Sequence, residues 1–81
     1  MRIRIRTFAA LRDITASQKF YLDCDDKSTA GDAIKEIGRL YPDSIHILKN
    51  SALAKNGAFT VKEILLKDGD ELSILPPVSG G

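Results

Sequence analysis

Apolar and polar residues alternate along Met1–Phe8: Ile3 and Ile5 fall on one side, Arg2, Arg4 and Arg6 on the other. A period of two marks a strand with one face in a core and one in water. The arginine row is compatible with a phosphate-binding stripe, but it reads first as the solvated face of a sheet or a flank that discourages edge pairing. The same period returns in Lys19–Cys24, where Phe20, Leu22 and Cys24 share a face. Ala9–Ile14 between them reads as a short helical turn, and the short connection predicts an antiparallel pair.

After the polar break Asp25-Asp26-Lys27-Ser28 the period changes. Ala30, Ala33, Ile34, Ile37, Leu40 and Tyr41 recur every three or four residues, the stripe of an amphipathic helix. Thr29 supplies its N-cap, Asp32 lies near its positive end, and Pro42 stops it. Ile45 and Leu48 anchor a further helical turn within Asp43–Lys49. Ser51–Lys55 reads as a strand, and Asn56-Gly57 as a hairpin turn whose residues both accept positive φ. Ala58–Leu66 holds a return segment and a connection, and Asp68-Gly69-Asp70 turns into a last strand, Glu71–Leu75. This order predicts an α+β fold: a mixed sheet of four to five strands on one main helix, the last strand parallel to the first through a crossover. Residues 1–75 form the domain and 76–81 an extended tail.

Composition narrows the function classes. The chain has 81 residues, 43% hydrophobic and 28% charged, with a net charge of +1. That is one globular domain with no bias toward nucleic acid or membrane. The longest apolar runs are too short to span a bilayer, and charges interrupt any signal-peptide core at the N-terminus. A single cysteine, Cys24, forms no internal disulfide, and together these features predict the cytosol. Cys24 reads as a small buried hydrophobe rather than a nucleophile. His46, the only histidine, has no metal-ligand spacing around it. No phosphate-binding glycine loop and no nucleophile elbow occurs. The chain is therefore expected to carry no catalytic site of its own and to bind no cofactor.

What remains as chemistry is the end of the chain, Pro76-Pro77-Val78-Ser79-Gly80-Gly81. Proline lacks an N–H, so the tail does not simply extend a sheet. The glycines pack nothing and raise the cost of ordering. Their use is thinness: a backbone without Cβ atoms enters a channel too narrow for side chains and delivers the Gly81 carboxylate to another protein. Terminal residues commonly fray, which is the bland reading; here a predicted strand aims the tail, which favours the functional one. A carboxylate is a poor electrophile, and nothing in the chain binds a nucleotide to activate it. A separate activating enzyme is implied.

Phe8-Ala9-Ala10-Leu11-Arg12-Asp13, Asp68-Gly69-Asp70-Glu71 and the Pro-Pro-Val-Ser-Gly-Gly end resemble the MoaD-type small subunit of molybdopterin synthase, over the whole chain. Thiamine sulfur carriers of the ThiS type also end in Gly-Gly but usually lack Pro76-Pro77. The family fold is the ubiquitin-like β-grasp. Lys55 departs from the family, which usually has an apolar residue there. The resemblance implies that an adenylyltransferase similar to ubiquitin-activating enzymes uses Mg-ATP to adenylate Gly81. Sulfur from a persulfide donor protein then leaves a thiocarboxylate, which the large synthase subunit uses to sulfurate cyclic pyranopterin monophosphate. A heterotetramer of two small and two large subunits is implied likewise. An apolar patch beside the tail docks both partners in the family, and the matching positions are Phe8, Phe59 and Leu75, followed along the tail by Pro76, Pro77, Val78, Ser79 and Gly80.

Read from the residues alone, Phe8 and Phe59 divide evenly between core and interface; the resemblance favours interface. Arg12 and Asp13 are expected to cap or brace the first turn, with contact to a partner as the alternative. Asp68, Asp70 and Glu71 read as a solvated acidic turn at the base of the tail, with a steering role as the alternative. Two other functions stay open: a ubiquitin-like modifier joined to lysines through Gly81, and a plain binding module without terminal chemistry.

Overall fold

A computed structural model describes residues 1–77. The order is β1 (Arg2–Thr7), α1 (Ala9–Thr15), β2 (Lys19–Asp23), α2 (Ala30–Leu40), a 3₁₀ turn (Pro42–Ser44), α3 (Ile45–Lys49), β3 (Ala52–Lys55), β4 (Ala58–Thr60) and β5 (Glu71–Leu75). The strands form one five-stranded mixed sheet in the order β2-β1-β5-β3-β4. β1 runs antiparallel to β2 and parallel to β5, and β3 lies antiparallel between β5 and β4. This is the mixed sheet on one main helix that the element order predicts, in the ubiquitin-like β-grasp form that the family resemblance implies.

Register decides what each face holds. Ile3 and Ile5 pair with Leu22 and Phe20, and Ile5 and Thr7 with Leu72 and Ile74. These residues look toward α2, whose Ala30, Ala33 and Ile37 are buried against them with Leu11, Leu48, Leu53 and Leu66. Ala30 and Ala33 keep the helix close to the sheet. Leu40 departs from the expected stripe: it is 47% exposed, at the end of the helix, where the chain turns toward Pro42. Tyr41 packs against the core instead, its ring 6.1 Å from that of Phe20.

Local chemistry fixes the ends. Thr29 and Asp32 form a reciprocal capping box, Asp32 N–H to Thr29 Oγ1 at 3.2 Å and Thr29 N–H to Asp32 Oδ2 at 2.9 Å. The backbone bond from Thr29 leads in holding the Asp32 carboxyl below its ordinary range. The β3–β4 hairpin turns on Asn56 and Gly57, at φ 50° and 88°, the left-handed pair a tight hairpin needs. At Gly31 the reason for glycine is proximity: a Cβ would stand 3.2 Å from the Lys62 carbonyl, which accepts the Gly31 N–H.

The acidic turn differs from its sequence reading. Asp68–Asp70 precede β5, whereas the tail leaves the far end of that strand, about 13 Å away. Asp70 is only 8% exposed. Its carboxylate accepts the Asn56 side-chain amide at 2.9 Å and the Lys67 N–H at 2.7 Å, and Lys55 Nζ stands 4.0 Å off. Burial pushes the Asp70 carboxyl up, but these bonds and the Lys55 and Lys67 charges outweigh it and hold it below the usual range. Asp68 accepts the Arg2 N–H, and Glu71 faces Arg4 and Arg6. Asp70 and Glu71 are structural anchors, whereas Asp68 sits on an exposed turn as the sequence suggests, and none of the three lies at the base of the tail. Lys55, the departure from the family pattern, is Asp70's ion-pair partner.

Candidate functional site: the outer sheet face and the root of the tail

The face of the sheet turned away from α2 is assembled by cross-strand pairing. Arg6 pairs with Ser73, Ser73 with Ala54 and Ala54 with Phe59, so these four residues form one row across β1, β5, β3 and β4. Paired residues share a face. One step along the strands, Leu75 pairs with Ala52 on that same face. Phe8 follows Thr7 in extended backbone, φ −140° and ψ 155°, and the guanidinium of Arg6 lies 5.3 Å from its ring centre. The structure therefore places Phe8, Phe59 and Leu75 on one side of the sheet, next to where the chain leaves β5. Phe59 is 80% exposed, and Phe8 and Leu75 are half-buried.

Small residues lie between these anchors. Ala54 and Ser73 are buried beneath the longer side chains around them, and Ala52 is exposed beside Leu75. Sequence reasoning did not single them out; the signal was the alternation within β3 and β5, usable only once their register is known.

Pro76 and Pro77 are exposed and help line a cleft of about 330 Å³ with Phe8, Leu11, Ile47 and Ile74. The tail thus starts in an apolar setting, with Phe8 common to the cleft and the outer face. Ala9, at φ 50°, takes a left-handed conformation uncommon for alanine where the chain leaves β1 for α1. Val78, Ser79, Gly80 and Gly81 lie outside the described residues.

The other singled-out residues stand apart. Cys24, just past β2, is half-buried against the core; burial first of all raises its thiol pKa, which disfavours a thiolate. His46 is exposed on α3 and borders the cleft. Arg12 and Asp13 are exposed, and among the described residues their side chains make no hydrogen bond or ion pair. The bracing expected of them is not seen, because α1 is held by Leu11 and Thr15 on its other side. Among the described residues no helix is long and apolar enough to cross a membrane.

Comparison with known proteins places this arrangement. Small archaeal modifier protein 3 of Haloferax volcanii is 31% identical over 96 residues, covering 100% of both chains. The molybdopterin synthase sulfur carrier subunit of Dictyostelium discoideum is 31% identical over 81 residues, covering 96% of this chain and 94% of the relative. Among solved structures, the complex of subunits 1 and 2 of the molybdopterin-converting factor from Helicobacter pylori contains a chain that superposes with a TM-score of 0.69 at 27% identity, covering 100% of both. The profile of the ThiS family matches residues 5–81, so that Phe8, Phe59, Leu75 and the glycine end all fall within one match: the chain belongs to the ThiS family.

Proposed function

We propose that this protein is the sulfur carrier subunit of a molybdopterin synthase. The observation that carries the reading is the family match running through Gly81, beside a full-length relative named as that subunit. In this reading residues 1–75 are a docking domain and 76–81 its working tail. A separate adenylyltransferase binds the outer face and uses Mg-ATP; the Gly81 carboxylate attacks the α-phosphate and pyrophosphate leaves. The terminal sulfur of a persulfide donor displaces AMP to give an acyl disulfide, and a second thiol cleaves its S–S bond, releasing the Gly81 thiocarboxylate and leaving a disulfide behind. The large subunit then accepts the tail and transfers the sulfur to cyclic pyranopterin monophosphate, regenerating the Gly81 carboxylate. A dithiolene needs two sulfurs, so the carrier binds and leaves repeatedly, in the cytosol, within a heterotetramer.

The chain's part is positional. Phe8, Phe59 and Leu75 are the docking anchors, and an exposed aromatic with aliphatic neighbours is the usual form of an interface hot spot. Pro76 and Pro77 stiffen the exit, because each ring fixes φ and removes a donor. Val78 and Ser79 lead into Gly80 and Gly81, which are narrow enough to thread a channel. The chain needs no catalytic group, metal or cofactor for this role, since partners supply the chemistry.

A second reading has its own support: small archaeal modifier protein 3 matches at 31% identity over both whole chains. There the acceptor of activated Gly81 is a lysine amine, and the product is an isopeptide. Pro76-Pro77 disfavours a thiamine-pathway carrier. Reconstitution separates the two main readings. With activating enzyme, ATP, sulfur donor and large subunit, the carrier reading predicts a sulfurated pterin that is lost when Gly81 is removed. Protein adducts without any pterin product overturn it in favour of the modifier.

A further inference from the structure

The apolar anchors do not account for the charges beside them. On the outer face of β2, β1 and β5 stand Arg2, Arg4, Arg6 and Lys19, against two carboxylates, Asp23 and Glu71. That local excess is larger than the +1 of the whole chain. Arg6 and Lys19 are direct cross-strand partners, a like-charge pairing that costs stability. Edge protection explains Lys19, which is on the outer strand β2, but not Arg4 and Arg6: β1 is an interior strand, paired on both sides.

The two inner guanidiniums are not equally engaged. Arg4 Nε lies 2.9 Å from Glu71 Oε2, while Arg6 Nη1 is 3.7 Å from Oε1, beyond hydrogen-bond range. Among the described residues Arg6 donates no side-chain hydrogen bond, though a guanidinium carries five N–H donors. Its Cζ instead lies 5.3 Å from the Phe8 ring centre, a cation–π contact that sets the charge at the border of the apolar patch. A preorganised cation with unspent donors, beside an exposed apolar anchor, is built to take an anion from a partner.

We infer that Arg6 is the carboxylate-reading element of the docking surface: it accepts an Asp or Glu side chain that the large synthase subunit presents beside the seat of Phe8. The inference rests on the carrier reading and extends its footprint from the apolar patch onto β1. Glu71 is shared: Arg4 takes the close ion pair at 2.9 Å, and Arg6 keeps only a longer one at 3.7 Å that leaves its N–H donors unspent. Charge in this position also suits a carrier that exchanges partners, because electrostatic complementarity speeds encounter and sets orientation.

The test is calorimetric titration of the purified large subunit with the full-length wild-type chain, Arg6→Gln, Arg6→Lys and Arg6→Glu, at low and moderate salt, with a thermal melt of each variant. The expected result is affinity about tenfold weaker for Arg6→Gln, weaker still for Arg6→Glu, and partly restored in Arg6→Lys. The salt dependence should flatten in Arg6→Gln and persist in Arg6→Lys, with every variant folded at the titration temperature in its thermal melt. Binding of Arg6→Glu within about twofold of wild type, with the same salt dependence, overturns the inference while leaving the carrier reading intact. Absence of binding by the wild type itself overturns both.

Discussion

Replacing Phe59 by alanine separates a docking residue from a core residue, and the structure sets both magnitudes. Phe59 is 80% exposed. A phenylalanine presents on the order of 200 Å², so the fold covers about 40 Å², worth roughly 1 kcal/mol at ~25 cal/mol per Å². The remaining ~160 Å² is worth up to about 4 kcal/mol if a partner covers it. Phe59→Ala is therefore predicted to cost at most about 1 kcal/mol of stability, a drop of about 4–8 °C in melting temperature for a domain of this size. Binding to the large subunit should weaken by about 2–4 kcal/mol, roughly 30- to 700-fold in Kd. The assay pairs thermal melting with calorimetric titration. Ile5→Ala, at a fully buried position, is the control and should lose about 2–5 kcal/mol of stability. If Phe59→Ala melts as low as Ile5→Ala, or binds the large subunit like wild type, the assignment of Phe59 to an interface is refuted.

Three further outcomes follow from the same geometry. Asp70→Asn should cost about 1–2 kcal/mol at neutral pH by weakening the bonds to Asn56 and Lys67; because folding depresses the Asp70 pKa, its contribution is present above the ordinary carboxylate range and fades as pH falls below about 4, so the variant's acid limb should be flatter in pH-dependent denaturant titrations. Thr29→Ala removes the α2 cap and should lower stability by about 1 kcal/mol in chemical denaturation, with Thr29→Ser restoring most of it. Removing Gly81 should abolish sulfur transfer while leaving the melting temperature unchanged; a variant that still transfers sulfur would contradict the tail chemistry.

Much of the fold is legible along the chain because its signals are local. The alternation of Arg2–Arg6 with Ile3 and Ile5, the Thr29–Asp32 box and the Asn56-Gly57 turn each act within a few residues. They fix one strand, one helix and one hairpin. What local reading misses depends on register. Asp70 looks like part of a solvated turn until β3 and β5 pair and bring Asn56 and Lys55 against it. Leu40 fits the helical stripe by spacing but lies where the helix ends, beyond the sheet's cover. Phe8, Phe59 and Leu75 are far apart in sequence, and only the order β1-β5-β3-β4 puts them on one face. Arg6 looks like any solvated strand residue until its neighbours show that it is an interior cation with its donors unspent.

The central claim is that Gly81 carries sulfur. Intact-protein mass spectrometry, after incubation with the cognate activating enzyme, ATP and a persulfide donor, tests it most directly. The account predicts a mass gain equal to one oxygen replaced by one sulfur, localised by fragmentation to Gly81. An unchanged mass, with an activating enzyme shown to be competent on another substrate, would contradict it and leave a β-grasp binding module.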